Sequence, residues 1–265
     1  LVAVARRFAK GFDQRAGVAA EPRYRCGMSD VASARSEGPA GVQRRHGRIR
    51  IWDLPTRLFH WLLVLAILGL VITGQVGGGA MVWHFRLGYV VLALLLFRIV
   101  WGLVGGHWSR FATFVRGPRA ILAYLRGQAG SEAHAGHNPL GALSVLALLG
   151  MLLVQVACGL VADDEIAFVG PLNHLVSSEW ALSATHWHKG TGKLLLVALV
   201  ALHVAAILFY RFRRRQDLVR PMLHGDKELP ETVRPARDDG RSRALAAVIL
   251  AICAGVAAWV SSLGG

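Results

Sequence analysis

The chain has 265 residues, 54% of them hydrophobic and only 17% charged, with a formal net charge of +14. Its apolar residues fall in uninterrupted runs near the ~20 residues that span a hydrocarbon core, which excludes an ordinary soluble domain. The charge does not mark a nucleic-acid binder: the arginines sit between alternate apolar runs, and no zinc finger, RNP motif or basic helix followed by heptads occurs.

Residues 1–45 are rich in Arg, Ala, Gly and Ser without helical or strand period and are expected to be a disordered basic arm. The first methionine is Met28, a candidate start. The competing targeting peptide would need an apolar h-region before a small-residue cleavage site, which this stretch does not show. Five apolar runs follow, at roughly 58–75, 83–104, 140–162, 189–210 and 244–263. Gly77-Gly78-Gly79 joins the first two as a tight antiparallel turn.

Between the second and third runs, Phe111, Phe114, Ile121, Leu122, Tyr124 and Leu125 alternate with arginines, the pattern of an amphipathic helix on the membrane surface. Residues 163–187 read as an outer loop capping the bundle. Residues 229–243 read as a cytoplasmic linker, part of a charged, proline-containing stretch from 213, and 244–265 as an extra packing or anchor helix. The fold class expected is all-α: a transmembrane four-helix bundle over 46–228 plus a C-terminal transmembrane helix.

Charge gives the spans a side. Arg44, Arg45, Arg48, Arg50 and Arg57 precede the first, Arg110, Arg116, Arg119 and Arg126 follow the second, and Arg211, Arg213, Arg214, Arg215 and Arg220 follow the fourth. The turn at 75–82 carries no charge, and the segment after the third run carries Asp163, Asp164, Glu165 and Glu179. The positive-inside rule therefore puts the N-terminus in the cytoplasm and the C-terminus outside, as in a multi-pass protein of a bacterial inner membrane. Cys26, Cys158 and Cys253 imply no disulfide framework, no C-x-x-C-H signals covalent haem, and the thiols are too few for a four-Cys iron–sulfur cluster.

Eleven histidines are present. Solvation in loops accounts for His46, His107, His134, His137 and His224, and His174 and His186 belong to the outer loop. His60, His84, His188 and His203 lie in or at the ends of apolar runs, where ionisable groups are costly and face the bundle interior for a functional reason. Neutral imidazole is a common axial ligand of haem iron. His188 and His203 are fifteen residues apart, about 22 Å along a helix and about 60° around it. His84 with His188 outside and His60 with His203 inside thus form two depth-matched pairs, as two stacked haems b require. By the same arithmetic His186 falls about 100° off that face.

Arg98, mid-span and fourteen residues after His84, lies at the inner level. No carboxylate occurs in any span, so a haem propionate is the expected counter-ion, and Arg57, one turn before His60, is placed to hold another. Snorkelling of Arg98 to the headgroups is the competing account. Interhelical hydrogen bonding would explain one or two of the histidines but not four, and a metal-transport path would want more carboxylates, thiolates or methionines.

The segments Trp52-Asp53-Leu54-Pro55-Thr56-Arg57-Leu58-Phe59-His60-Trp61, His84-Phe85-Arg86-Leu87-Gly88 with Phe97-Arg98, Gly136-His137-Asn138-Pro139-Leu140-Gly141 and Leu202-His203-Val204-Ala205 together resemble the bacterial cytochrome b561-type membrane proteins. That group includes b-type cytochrome subunits of nickel–iron hydrogenases. The resemblance covers roughly 50–228. It implies a four-helix bundle with two b haems, each held by two His, and exchange of electrons with a quinone pool. Its ligands fall on His60, His84 and His203, with either His186 or His188 as the fourth. The function expected is electron transfer across the membrane between an outer-side redox partner, periplasmic or membrane-bound, and quinone or an inner partner. The rivals are an anchor subunit of a hydrogenase- or dehydrogenase-type complex and a haem-free transporter or scaffold.

Overall fold

A computed structural model describes residues 46–115, 117–126 and 135–264; the arm expected at 1–45 lies outside them. The chain enters through strand β1 (His46–Arg50) and turns into helix α1 (Leu54–Val76). The Asp53 carboxylate caps α1 by accepting the Thr56 N–H at 2.8 Å, and Pro55 pre-sets the first turn. The glycine turn adopts positive φ at Gly77 and Gly78 (66° and 52°), which only glycine takes without strain, and returns the chain as α2 (Met81–Val104).

Two short helices, α3 (Phe111–Phe114) and α4 (Pro118–Leu125), occupy the stretch expected to be amphipathic. Helix α5 (Pro139–Val161) starts on the same chemistry as α1: Asn138 accepts the Gly141 N–H at 2.7 Å and Pro139 follows. Helices α6 (Ser178–Lys189) and α7 (Thr191–Arg213) return the chain to α8 (Val219–His224) and strand β2 (Asp226–Pro230). Helix α9 (Gly240–Ser262), capped by Asp239, closes the fold. Five helical segments are long and apolar enough to cross a membrane, as the sequence implied, and the protein is an all-α integral membrane protein.

Helix α2 is the centre of the packing. Val91, Ala93, Leu94, Leu95, Phe97, Arg98, Trp101 and Gly102 are all buried, whereas Gly192 alone is buried on α7. The core cluster joins α2 to Phe59, Leu63 and Ala66 of α1, Leu152 of α5, and Ala246 and Cys253 of α9. The last helix is therefore an integral packing element, set close by small side chains. The opposite faces expose Leu65, Leu68, Leu194, Leu202 and Trp259 to the lipid that surrounds such helices.

The strands were not foreseen. β1 pairs antiparallel with β2, from His46 opposite Pro230 to Arg50 opposite Asp226. Arg50 also donates to Asp238 at 2.6 Å, and Arg243 reaches the same carboxylate at 2.9 Å. The region expected as a linker thus carries the end of β2 and the carboxylate that ties β1 to α9. Burial would raise the Asp238 carboxyl, but Arg243, Arg50 and the Leu54 N–H more than offset it and hold it down at about 2. Ile49, Ile51, Trp52, Ala135 and Leu229 form a second small core beneath this ribbon.

Candidate functional site

The structure brings His84 of α2 against His188 of α6, with ring centroids 6.0 Å apart and planes at 87°. The His84 Nδ1 lies 3.0 Å from the Leu70 carbonyl and 3.3 Å from the Thr73 hydroxyl. The His188 Nδ1 lies 2.9 Å from the Gln155 carbonyl. A carbonyl only accepts, so each Nδ1 carries the proton and each neutral ring keeps its Nε2 lone pair for a metal. Glycines face both rings: a Cβ at Gly74 would stand 3.2 Å from His84 Cε1, and one at Gly159 would stand 3.2 Å from His188 Cε1.

The depth and phase expected for His188 and His203 assume one continuous helix. The chain instead breaks at Gly190 (φ −106°, ψ −106°), so His188 ends α6 while His203 lies on α7. A Cβ at Gly190 would stand 2.8 Å from the His186 carbonyl oxygen, which is why a glycine makes the break. His186 is exposed and lines an open pocket of about 750 Å³ with Asp163, Asp164, Thr185 and Lys189. The Asp164 carboxylate caps that loop, and the N–H groups of Phe168, Ala167 and Ile166 hold it below the usual carboxylate range.

At the other end of the bundle, His60 of α1 and His203 of α7 are near enough to interact electrostatically. The His203 Nδ1 lies 3.4 Å from the Ser144 hydroxyl of α5, and the buried His60 Nδ1 has no partner. Arg98 is 3% exposed and does not snorkel. It donates to the Ser109 carbonyl at 3.0 Å and lies 4.7 Å above the Phe111 ring. Part of its compensation therefore comes from the protein, including the nearby charge of Asp53, which sits one residue before α1 and outside every span. Asp53 is fully buried and accepts from Ser109 Oγ at 2.6 Å and from Trp101 Nε1 at 3.3 Å. Arg57 donates one terminal nitrogen to the Leu223 carbonyl, while its buried Nε is unpartnered.

His137 corrects the expectation of a solvated loop residue. Its ring is held between Trp52 (4.6 Å) and Phe114 (4.5 Å), and its Nδ1 is buried without a partner. Burial first, then the charges of Arg98 and His203, push it down to about 3, so it is neutral at physiological pH. The signal was its place directly before the Asn138 cap, which ties this loop to the start of α5. Asn138 is tied in turn to the end of α7 through Tyr210. Gly74, Gly159 and Ser144 carry no comparable mark in the sequence.

Among the described residues, no group of three or more His, Cys, Asp or Glu side chains is set to hold a metal ion. His84 and His188 meet between helices with their ring nitrogens oriented from behind, and His60 lies near enough to His203 to interact electrostatically. A membrane bundle with such a pair at each end has the ligand set of a b-type cytochrome. The model of the prokaryotic cytochrome b561 family matches residues 51–225, and the chain belongs to that family. It is similar to the probable Ni/Fe-hydrogenase B-type cytochrome subunit of Bradyrhizobium diazoefficiens, 25% identical over 76% of this chain and 98% of that one. The corresponding subunit of Azotobacter chroococcum is 26% identical over 69% and 89%, and that of hydrogenase 1 in Escherichia coli K12 is 25% identical over 66% and 88%.

The residues present fit b-type haem. The 6.0 Å between the His84 and His188 ring centroids would suit one metal ion held between two imidazoles. The Nε of Arg57 is a buried donor that the protein alone leaves without an acceptor, which a haem propionate would supply.

Proposed function

We propose that the chain is a dihaem b-type cytochrome that carries electrons through the membrane between a redox partner on the His84 side and quinone or another acceptor on the His60 side. The observation that carries it is the 6.0 Å pairing of His84 with His188 at one end of the bundle, repeated as His60 near His203 at the other. His84 and His188 hold one haem through Nε2, and His60 and His203 hold the other. Arg98 and Arg57 are the cations for propionates on the inner side.

Bound haem supplies reversible one-electron exchange. The protein orients the imidazoles, and the glycines at 74 and 159 leave room for them. The apolar walls of α1, α2, α5 and α7 keep water from the site. With two His for each haem, no iron position would be left open for oxygen.

The names of the relatives favour a second, compatible role, as the membrane electron-transfer subunit of a hydrogenase-type complex. A pyridine-haemochrome assay on the purified chain is expected to give two b haems per polypeptide, and absence of b haem would sink the proposal. Quinone reduction by the isolated chain, compared with the chain copurified with a catalytic partner, separates the two roles.

A further inference from the structure

The four imidazoles differ in what stands behind them. In the outer pair both Nδ1–H groups donate to backbone carbonyls, His84 to Leu70 at 3.0 Å and His188 to Gln155 at 2.9 Å. In the inner pair His203 reaches only the Ser144 hydroxyl, at a weak 3.4 Å, and the His60 Nδ1 reaches nothing. An Nδ1–H given to a carbonyl makes Nε2 the stronger donor and so favours ferric iron. The inner pair has little of this. Charge does not separate the two pairs in the same way, because Asp53 offsets Arg98 at the inner end and Lys189 acts on His188 at the outer end.

We propose that these Nδ1 partners hold the outer haem at a lower potential than the inner one, and that Ser144 is the residue that positions His203 and tunes the inner site. The inference rests on the dihaem assignment. The asymmetry in hydrogen bonding alone sets this order. Electrons entering at the outer face therefore run downhill to the inner face. The exchange moves one electron from a ferrous to a ferric site, and no bond is made or broken.

The test is a visible-spectrum redox titration of the purified full chain, with haem per polypeptide measured alongside. Two components are expected. His84→Ala removes the lower and His60→Ala the higher. Ser144→Ala, which only deletes the hydroxyl, shifts the higher component upward and changes its low-spin EPR signal while the lower component stays. Arg98→Gln shifts the higher component downward. Two haems with the His84-dependent component higher would overturn the inference and leave the dihaem assignment standing. So would a Ser144→Ala shift that is absent or falls on the other component. Fewer than two haems would overturn both.

Discussion

At the scale of single residues, the outer site depends on two positions that have no side chain at all. Gly159 and Gly74 approach the imidazoles so closely that an added methyl must push the ring or the helix by some tenths of an ångström. Gly159→Ala is expected to fold and insert normally but retain the haem proposed at His84 and His188 about 10-fold less well, the usual penalty for disturbing what orients a ligand. Haem per polypeptide against protein yield reads this directly; full retention would show that the ring has slack. His137 makes a different prediction. Its folded value of about 3 lies below the ~6.5 of an unfolded histidine, so below pH ~6.5 the unfolded chain binds a proton that the folded chain refuses. The stability it contributes is complete above that pH and is lost as pH falls toward 3. His137→Phe keeps the aromatic contacts to Trp52 and Phe114, and should make the fall of Tm between pH 6.5 and 4 shallower. The four ligand candidates were legible because membrane depth makes histidine costly. His137 was read as a loop residue because its one signal, the place before the Asn138 cap, does not tell that the loop folds back under Trp52.

Elements were legible where one physical signal dominates. Apolar runs located the five long helices within a few residues, and Asp53-Leu54-Pro55 and Asn138-Pro139 mark two helix starts that the structure confirms by cap bonds. Two features were not foreseen. The break at Gly190 is marked by Gly190-Thr191-Gly192, but the apolar run that follows drew the helix start back across it. The β1–β2 ribbon pairs segments about 180 residues apart, with no turn signal between them. That ribbon matters to the last helix, because Arg50 of β1 and Arg243 of α9 share the Asp238 carboxylate. Asp238→Asn removes the acceptor charge for both, and Tm is expected to fall by about 5 °C. Because Asp238 is held at about 2, below its unfolded ~3.9, its contribution is present above pH ~4 and is lost as pH falls toward 2. The Tm difference between wild type and Asp238→Asn should therefore shrink in that window. A constant difference would mean that the asparagine acts through packing instead.

For the whole molecule the question is which way it sits. The antiparallel ribbon holds residues 46–50 and 226–230 together, so an even number of crossings must separate them, and the four spans α1, α2, α5 and α6–α7 satisfy that. Helix α9 adds a fifth crossing, and its end meets the opposite face, where Gly264 comes against Pro171 of the loop before α6. The structure thus fixes what lies on each face, and charge gives an expectation of which face is cytoplasmic. The ribbon face gathers Arg110, Arg119, Arg126, Arg211, Arg213, Arg214, Arg215 and Arg220, while the other carries the uncharged turn Gly77–Ala80 and Asp163, Asp164, Glu165 and Glu179. The positive-inside rule predicts that the ribbon is cytoplasmic and that the His84–His188 pair lies toward the periplasm. Reporters active only outside the cytoplasm should accordingly report when fused after Gly78, after Leu175 or after Gly264, and stay silent after Arg126 or Thr232. The fusion after Gly264 is the most telling, because removing α9 should make a reporter fused after Thr232 remain silent with the four-crossing bundle intact. The inverse pattern would put His60 and His203 on the periplasmic side and reverse the direction in which the protein is proposed to draw electrons.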